Sequence, residues 1–129
     1  MNPIHTARSA GRFSLRARVK SFAYACQGVA FMLRTQHNAW LHAAATLAVI
    51  ALALYCDVSA SDWRWLIVAM AMVWVGETLN TAVEYVCGVL SPEFHQAVKH
   101  AKDIAAGGVL IAALAAALIG GLTFWPYFA

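Results

Sequence analysis

The sequence predicts an all-α membrane protein: an N-terminal amphipathic surface helix followed by three transmembrane helices. Composition is the first reason. Hydrophobic residues make up 62% of the 129 positions and charged residues 12%, where an ordinary soluble domain carries about 25% charged. Mean hydropathy is +0.65. The second reason is the alternation of long apolar stretches with short polar ones, each stretch near the length needed to cross a bilayer. The chain is long enough for one domain, and we read residues 14–129 as that domain.

Residues 1–13 are expected to form a disordered basic arm. No apolar h-region follows Arg8 and Arg12, so no secretory signal is expected there. A helical pattern begins at Ser14. Leu15, Val19, Phe22, Cys26, Val29 and Leu33 recur at spacings of four and three, which lines them up as one stripe. Arg12, Arg16 and Lys20 fall on another face. A basic amphipathic helix over 14–34 is expected to lie in the membrane interface; a soluble helix packed on a partner shows the same pattern.

Arg34–Asn38 is a polar break. The first span is expected at 39–56, where Trp40 to Cys56 is interrupted only by His42 and Thr46. Its 17 residues reach ~26 Å at ~1.5 Å each. Asp57–Asp62 is a turn. The second span is expected at 63–88, with Trp63 and Trp65 in an interfacial belt. The pattern fades near Leu90, and Ser91-Pro92 ends it because the residue before proline disfavours helix. Glu93 to Asp103 is polar. The third span is expected at 104–125, since Ile104 to Trp125 is 22 residues without a charge. Gly107, Gly108, Gly120 and Gly121 fit close helix contact better than a phosphate loop, as neither a Walker pattern nor GxGxxG is present.

Charge sets the expected topology. Arg8, Arg12, Arg16, Arg18, Lys20 and Arg34 are six of the nine basic residues, and no acid precedes Asp57. A basic leader serves nucleic acid, anionic lipid or topology; in a membrane chain the last two fit, and no nucleic-acid partner is expected. The N-terminus is then cytoplasmic, Lys99 and Lys102 share that side, and the C-terminus is outside. Cys26, Cys56 and Cys87 are widely spaced without a CxxC and read as small apolar side chains.

Ionisable residues inside a span cost at least ~2.5–3.5 kcal/mol each, so they are functional candidates. Glu77, Asn80, Thr81 and Glu84 fall at i, i+3, i+4 and i+7 of the second span, one helix face. Glu77 lies ~21 Å and Glu84 ~32 Å along the axis from Trp63, against a hydrocarbon core of ~30 Å. Glu77 is therefore in the cytoplasmic half and Glu84 near the cytoplasmic surface. About 10 Å apart along the helix, they do not easily share one metal ion. Separate tasks fit better: Glu84 on a hydrated magnesium and nucleotide phosphates, Glu77 taking a proton from a lipid hydroxyl. Structural interhelix bonding is the plainer alternative for this face.

Lys102 and Asp103 stand at the expected start of the third helix, where a lysine meets phosphate and a helix N-terminus favours anions; taken alone, the pair is better explained by simple capping by Asp103 and snorkelling by Lys102. His37, His42, His95 and His100 lack the HExxH spacing of a zinc site, and each alone reads as a surface or capping residue.

GETLNTAVEYV (Gly76–Val86), SPEFH (Ser91–His95) and AKDIAAGGVLIAA (Ala101–Ala113) resemble the bacterial diacylglycerol kinase and undecaprenol kinase family, over about Phe22 to Leu118. The resemblance implies phosphorylation of a membrane lipid alcohol by ATP with magnesium. It also implies a homotrimer of three-span chains in the bacterial cytoplasmic membrane, with sites between subunits. Glu77 matches the family's proposed catalytic base, Asn80 the motif asparagine and Glu84 the metal-binding glutamate. Lys102 and Asp103 match the nucleotide-contacting pair; Glu93, Phe94 and His95 match a segment that touches ATP, and Tyr24 an aromatic residue near the adenine. Two positions depart. Gln36 stands where the family often has a second metal-binding glutamate, keeping a carbonyl ligand without the charge. Gly88 stands where the second-helix motif often ends in aspartate. KDIAAGGVL and SPEFH look closer to the undecaprenol-type pattern. A catalytically degenerate relative, or a small non-enzymatic membrane transport or interaction subunit, is the competing expectation.

Overall fold

The computed structural model describes residues 13–129, so the expected disordered arm lies outside the described residues except at Phe13. Four α-helices follow one another: α1 (Leu15–Thr35), α2 (His37–Tyr55), α3 (Ala60–Leu90) and α4 (Gln96–Phe128). No strand occurs among the described residues. The last three helices are long and apolar enough to cross a membrane, as the sequence predicts.

Local chemistry sets the helix ends. The Ser14 hydroxyl accepts from the amide of Ala17, and that of Ser59 from the amide of Asp62, which satisfies donors that a first turn leaves free. Gln36 is the one residue between α1 and α2, extended at φ −110°, ψ 115°. After α2 the chain turns through Asp57, whose φ of 48° is left-handed. The amides of Val58 and Asp57 donate back to the carbonyls of Ala53 and Leu54, which is the Schellman pattern.

α4 starts eight residues before the expected third span. The polar stretch Gln96–Asp103 carries no apolar signal, yet it is helix capped by the His95 imidazole, which accepts from the amide of Ala97. At ~1.5 Å per residue, α3 with 31 residues and α4 with 33 reach ~46 and ~50 Å. Both outrun a ~30 Å hydrocarbon core, so a polar helical end is free to meet water. Asp103 therefore lies within α4 and caps nothing; its carboxylate accepts from Lys99 one turn earlier.

α2 and α3 run antiparallel, as do α3 and α4. Ala53, Val58 and Leu66 form a buried cluster at the end that carries the α2–α3 turn, packed against Val49, Trp63, Met70 and Phe124. There Tyr127 donates to Asp62 at 2.7 Å and accepts from the amide of Ser59 at 3.1 Å, tying the last turn of α4 to the start of α3. The close α3–α4 approach falls at Gly76, where a Cβ would sit 3.6 Å from the Val109 Cα. The expected contacts at Gly107, Gly108, Gly120 and Gly121 do not occur within the chain: a Cβ at any of them meets nothing within 4 Å. α1 reaches the bundle by its last turns, where Phe31 stacks edge-on against Tyr85 and Met32 is buried. Its stripe, with Leu15, Val19, Phe22 and Val29, is exposed on the chain.

Candidate functional site

The polar face of α3 turns inward. Glu77 is 1% exposed, and Asn80 and Thr81 are 5% each. Burial of that depth normally brings hydrogen bonds, yet both Glu77 carboxylate oxygens, the Asn80 Oδ1 and the Thr81 hydroxyl have no hydrogen-bond partner among the described residues. Polar atoms withdrawn from water and left unpaired are costly, and such groups cluster where a ligand completes them. The amide of Asn80 is half used: its Nδ2 donates to Glu84 Oε1 at 3.4 Å. Glu84 itself is half-buried.

The antiparallel register of α2 and α3 decides what faces this row. Thr46 accepts from the Trp74 indole N–H at 3.0 Å. One turn nearer the α1 end, His42 Nε2 stands 3.5 Å from Glu77 Oε2, too long for a strong hydrogen bond. The His42 ring meets the Trp74 ring edge-on at 6.4 Å. His42, expected as a surface or capping residue, is instead the one titratable side chain among the described residues that lies beside Glu77 in a cleft of about 270 Å³. Asn38 and Leu41 of α2 and Ala106, Val109, Leu110 and Ala113 of α4 complete that cleft. The available signal was that a buried carboxylate in a span needs a partner, and His42 is the histidine of the first apolar run.

Further along the same register, Gln36, Glu84, Tyr85, Gly88 and Val89 line a second cleft. The two departures from the family pattern thus meet at the glutamate they bear on. No group of three or more His, Cys, Asp or Glu side chains gathers to hold a metal ion among the described residues. One carboxylate and one amide carbonyl on an open cleft fit a magnesium ion that keeps water and phosphate ligands, and do not fit an all-protein cage.

Glu93, Phe94, His95, Lys102 and Asp103 come together in a third cleft, of about 370 Å³, with Ser91, Pro92 and Lys99. The Ser91 hydroxyl donates to the Glu93 carbonyl at 2.9 Å, holding the turn between α3 and α4. Tyr24 joins none of the three clefts; it is exposed on α1, with the Lys20 ammonium 5.7 Å from its ring centroid. Cys26, Cys56 and Cys87 are free thiols.

Comparison with known proteins identifies the family. The family model of prokaryotic diacylglycerol kinase matches residues 23–124. An undecaprenol kinase of Bacillus subtilis (strain 168) is 34% identical over 115 residues, which cover 89% of this chain and 94% of the relative. A diacylglycerol kinase of Synechocystis sp. is 38% identical over 107 residues, 82% of this chain and 61% of that longer protein. A diacylglycerol kinase of Escherichia coli (strain K12) is 28% identical over 117 residues, 85% of this chain and 90% of the relative. A match that runs from within α1 to the last turns of α4, and so takes in all three clefts, makes this chain a member of the prokaryotic diacylglycerol kinase family of lipid kinases.

Proposed function

We propose that the protein phosphorylates a membrane lipid alcohol, diacylglycerol or undecaprenol, with ATP and magnesium in a bacterial cytoplasmic membrane. The observation that carries this reading is Glu77: a carboxylate within a helix long and apolar enough to cross a membrane, 1% exposed and without a hydrogen bond among the described residues. A group so placed suits a reaction partner that arrives through the bilayer.

In this reading Glu77 accepts the hydroxyl proton as the lipid oxygen bonds to the γ-phosphorus and ADP leaves. Asn80 fixes Glu84 through its 3.4 Å hydrogen bond, and its buried carbonyl is left without a hydrogen-bond partner among the described residues. Lys102 and its neighbours in the third cleft hold the nucleotide. Glu84 and Gln36 would hold magnesium, which when bound offsets phosphate charge. Positioning and charge neutralisation carry most of such a transfer. The N-terminus is cytoplasmic, α1 lies in the interface with its exposed stripe in the acyl boundary, and the assembly is a homotrimer with sites between subunits.

The test is transfer of label from γ-labelled ATP into diacylglycerol or undecaprenol by the full chain in lipid bicelles. Label enters at least one lipid, and Glu77→Gln loses about 10²-fold or more of kcat, the usual scale of a general base. Full turnover in Glu77→Gln removes the base assignment. Absence of transfer to either lipid favours a catalytically degenerate member, the reading that Gln36 and Gly88 beside Glu84 support.

A further inference from the structure

A base at 1% exposure raises a second question, namely where its proton goes. Once Glu77 has taken the hydroxyl proton it is a neutral acid, sealed from water, and turns over again only after losing that proton. Asn80 cannot carry it. The residues that α4 turns to this cleft, Ala106, Val109, Leu110 and Ala113, are apolar. On α1, Met32 approaches Thr78 and brings no charge. His42 of α2 is different. Its side chain is 18% exposed against 1% for Glu77, and its Nε2 points at Glu77 Oε2 from 3.5 Å. The Trp74 ring, itself held by Thr46, steers the imidazole edge-on.

We infer that His42 is the proton outlet of Glu77. The inference rests on the reading of Glu77 as the base. In the transfer, the lipid oxygen bonds to the γ-phosphorus, the bond from that phosphorus to the β–γ bridging oxygen breaks, and the hydroxyl proton moves to Glu77. Glu77 then gives its proton to the free lone pair on Nε2 of neutral His42. The imidazolium so formed releases a proton to water, leaving ADP, the lipid phosphate and one proton per turnover. His42 thus acts through Glu77, as a positioning and relay residue. An imidazole suits the task because it changes charge near neutral pH.

The experiment measures kcat, and KM for ATP and lipid, between about pH 5 and 9 for the bicelle-embedded full chain, His42→Gln, His42→Ala and Glu77→Gln. His42→Gln keeps a polar group in place but carries no proton. Its kcat is expected to fall about tenfold or more, less than the roughly 10²–10⁴-fold of a direct general base because His42 acts one step away from the substrate, with both KM values within about twofold. The shape of its kcat profile against pH differs from that of the wild type, and free imidazole in the assay raises the kcat of His42→Ala several-fold. A merely structural histidine moves neither the shape of the profile nor the response to imidazole. A His42→Gln protein with wild-type kcat and pH profile overturns the inference, as does a His42→Ala protein that imidazole does not accelerate. If Glu77→Gln is inactive in the same series, that failure is confined to the outlet; if Glu77→Gln is active, the base reading falls and takes the outlet with it.

Discussion

The two glutamates of α3 are seven residues apart, and their surroundings separate them chemically. Glu77 is buried against His42 and apolar groups of α4, a setting for moving one proton. Glu84 is half-buried, hydrogen bonded by Asn80, and opens on a cleft that also holds Gln36 and Gly88, a setting for a hydrated cation. That cleft carries one formal negative charge where a second carboxylate at either variant position would give two. A unit charge about 4 Å from a divalent cation at a wet site is worth about 2 kcal/mol, roughly thirtyfold in affinity. Gln36→Glu is therefore expected to lower the magnesium concentration for half-maximal transfer by up to about thirtyfold, read from a titration at saturating ATP. An unchanged requirement removes Gln36 from the metal end of the site.

At the scale of elements, the turn after α2 tests the argument that local chemistry sets the helix ends. Its bonds from Val58 to Ala53 and from Asp57 to Leu54 need a left-handed residue at 57. Glycine enters that region freely, and other residues at a cost of roughly 1–2 kcal/mol, reduced for aspartate and asparagine. Asp57→Gly should stabilise the fold by about 0.5–1 kcal/mol, seen as a rise in thermal midpoint in detergent, whereas Asp57→Val should lower it. The helices themselves were legible in the sequence, because apolar length and Ser91-Pro92 are local signals; the expected turn Asp57–Asp62 was too long, since the Ser59 cap starts α3 at Ala60. The start of α4 was not. Gln96–Asp103 is helix by virtue of a cap at His95 and of lying beyond the apolar slab, and hydropathy registers neither. The face of Glu77, Asn80 and Glu84 was legible from its spacing alone, while the facing of His42 and Glu77 was not, since it depends on the antiparallel register of α2 against α3.

At the scale of the whole molecule, the chain looks incomplete by itself. Its buried apolar core is small and gathers at the α2–α3 turn, while large apolar side chains such as Leu47, Leu79, Leu114 and Leu122 are more than half exposed. Lipid covers such side chains, but lipid does not complete a polar site. Glu77 and Asn80, the proposed base end, line one cleft, Glu84 lines a second, Lys102 and Asp103, the proposed nucleotide group, line a third, and exposed Tyr24 joins none. In a closed ring of identical chains every copy offers both groups to its neighbours, so a site that joins base from one chain to nucleotide residues from the next accounts for their separation. Two inactive proteins then repair one another. Glu77→Gln and Lys102→Ala, unfolded together and reassembled in equal amounts, should regain about a quarter of wild-type activity, because random assembly pairs an intact base with an intact neighbour at about one site in four. Each variant reassembled alone should stay inactive. A mixture as inactive as its components would mean that one chain supplies both groups to the same site, and that the separation of the clefts closes within the chain when substrate binds.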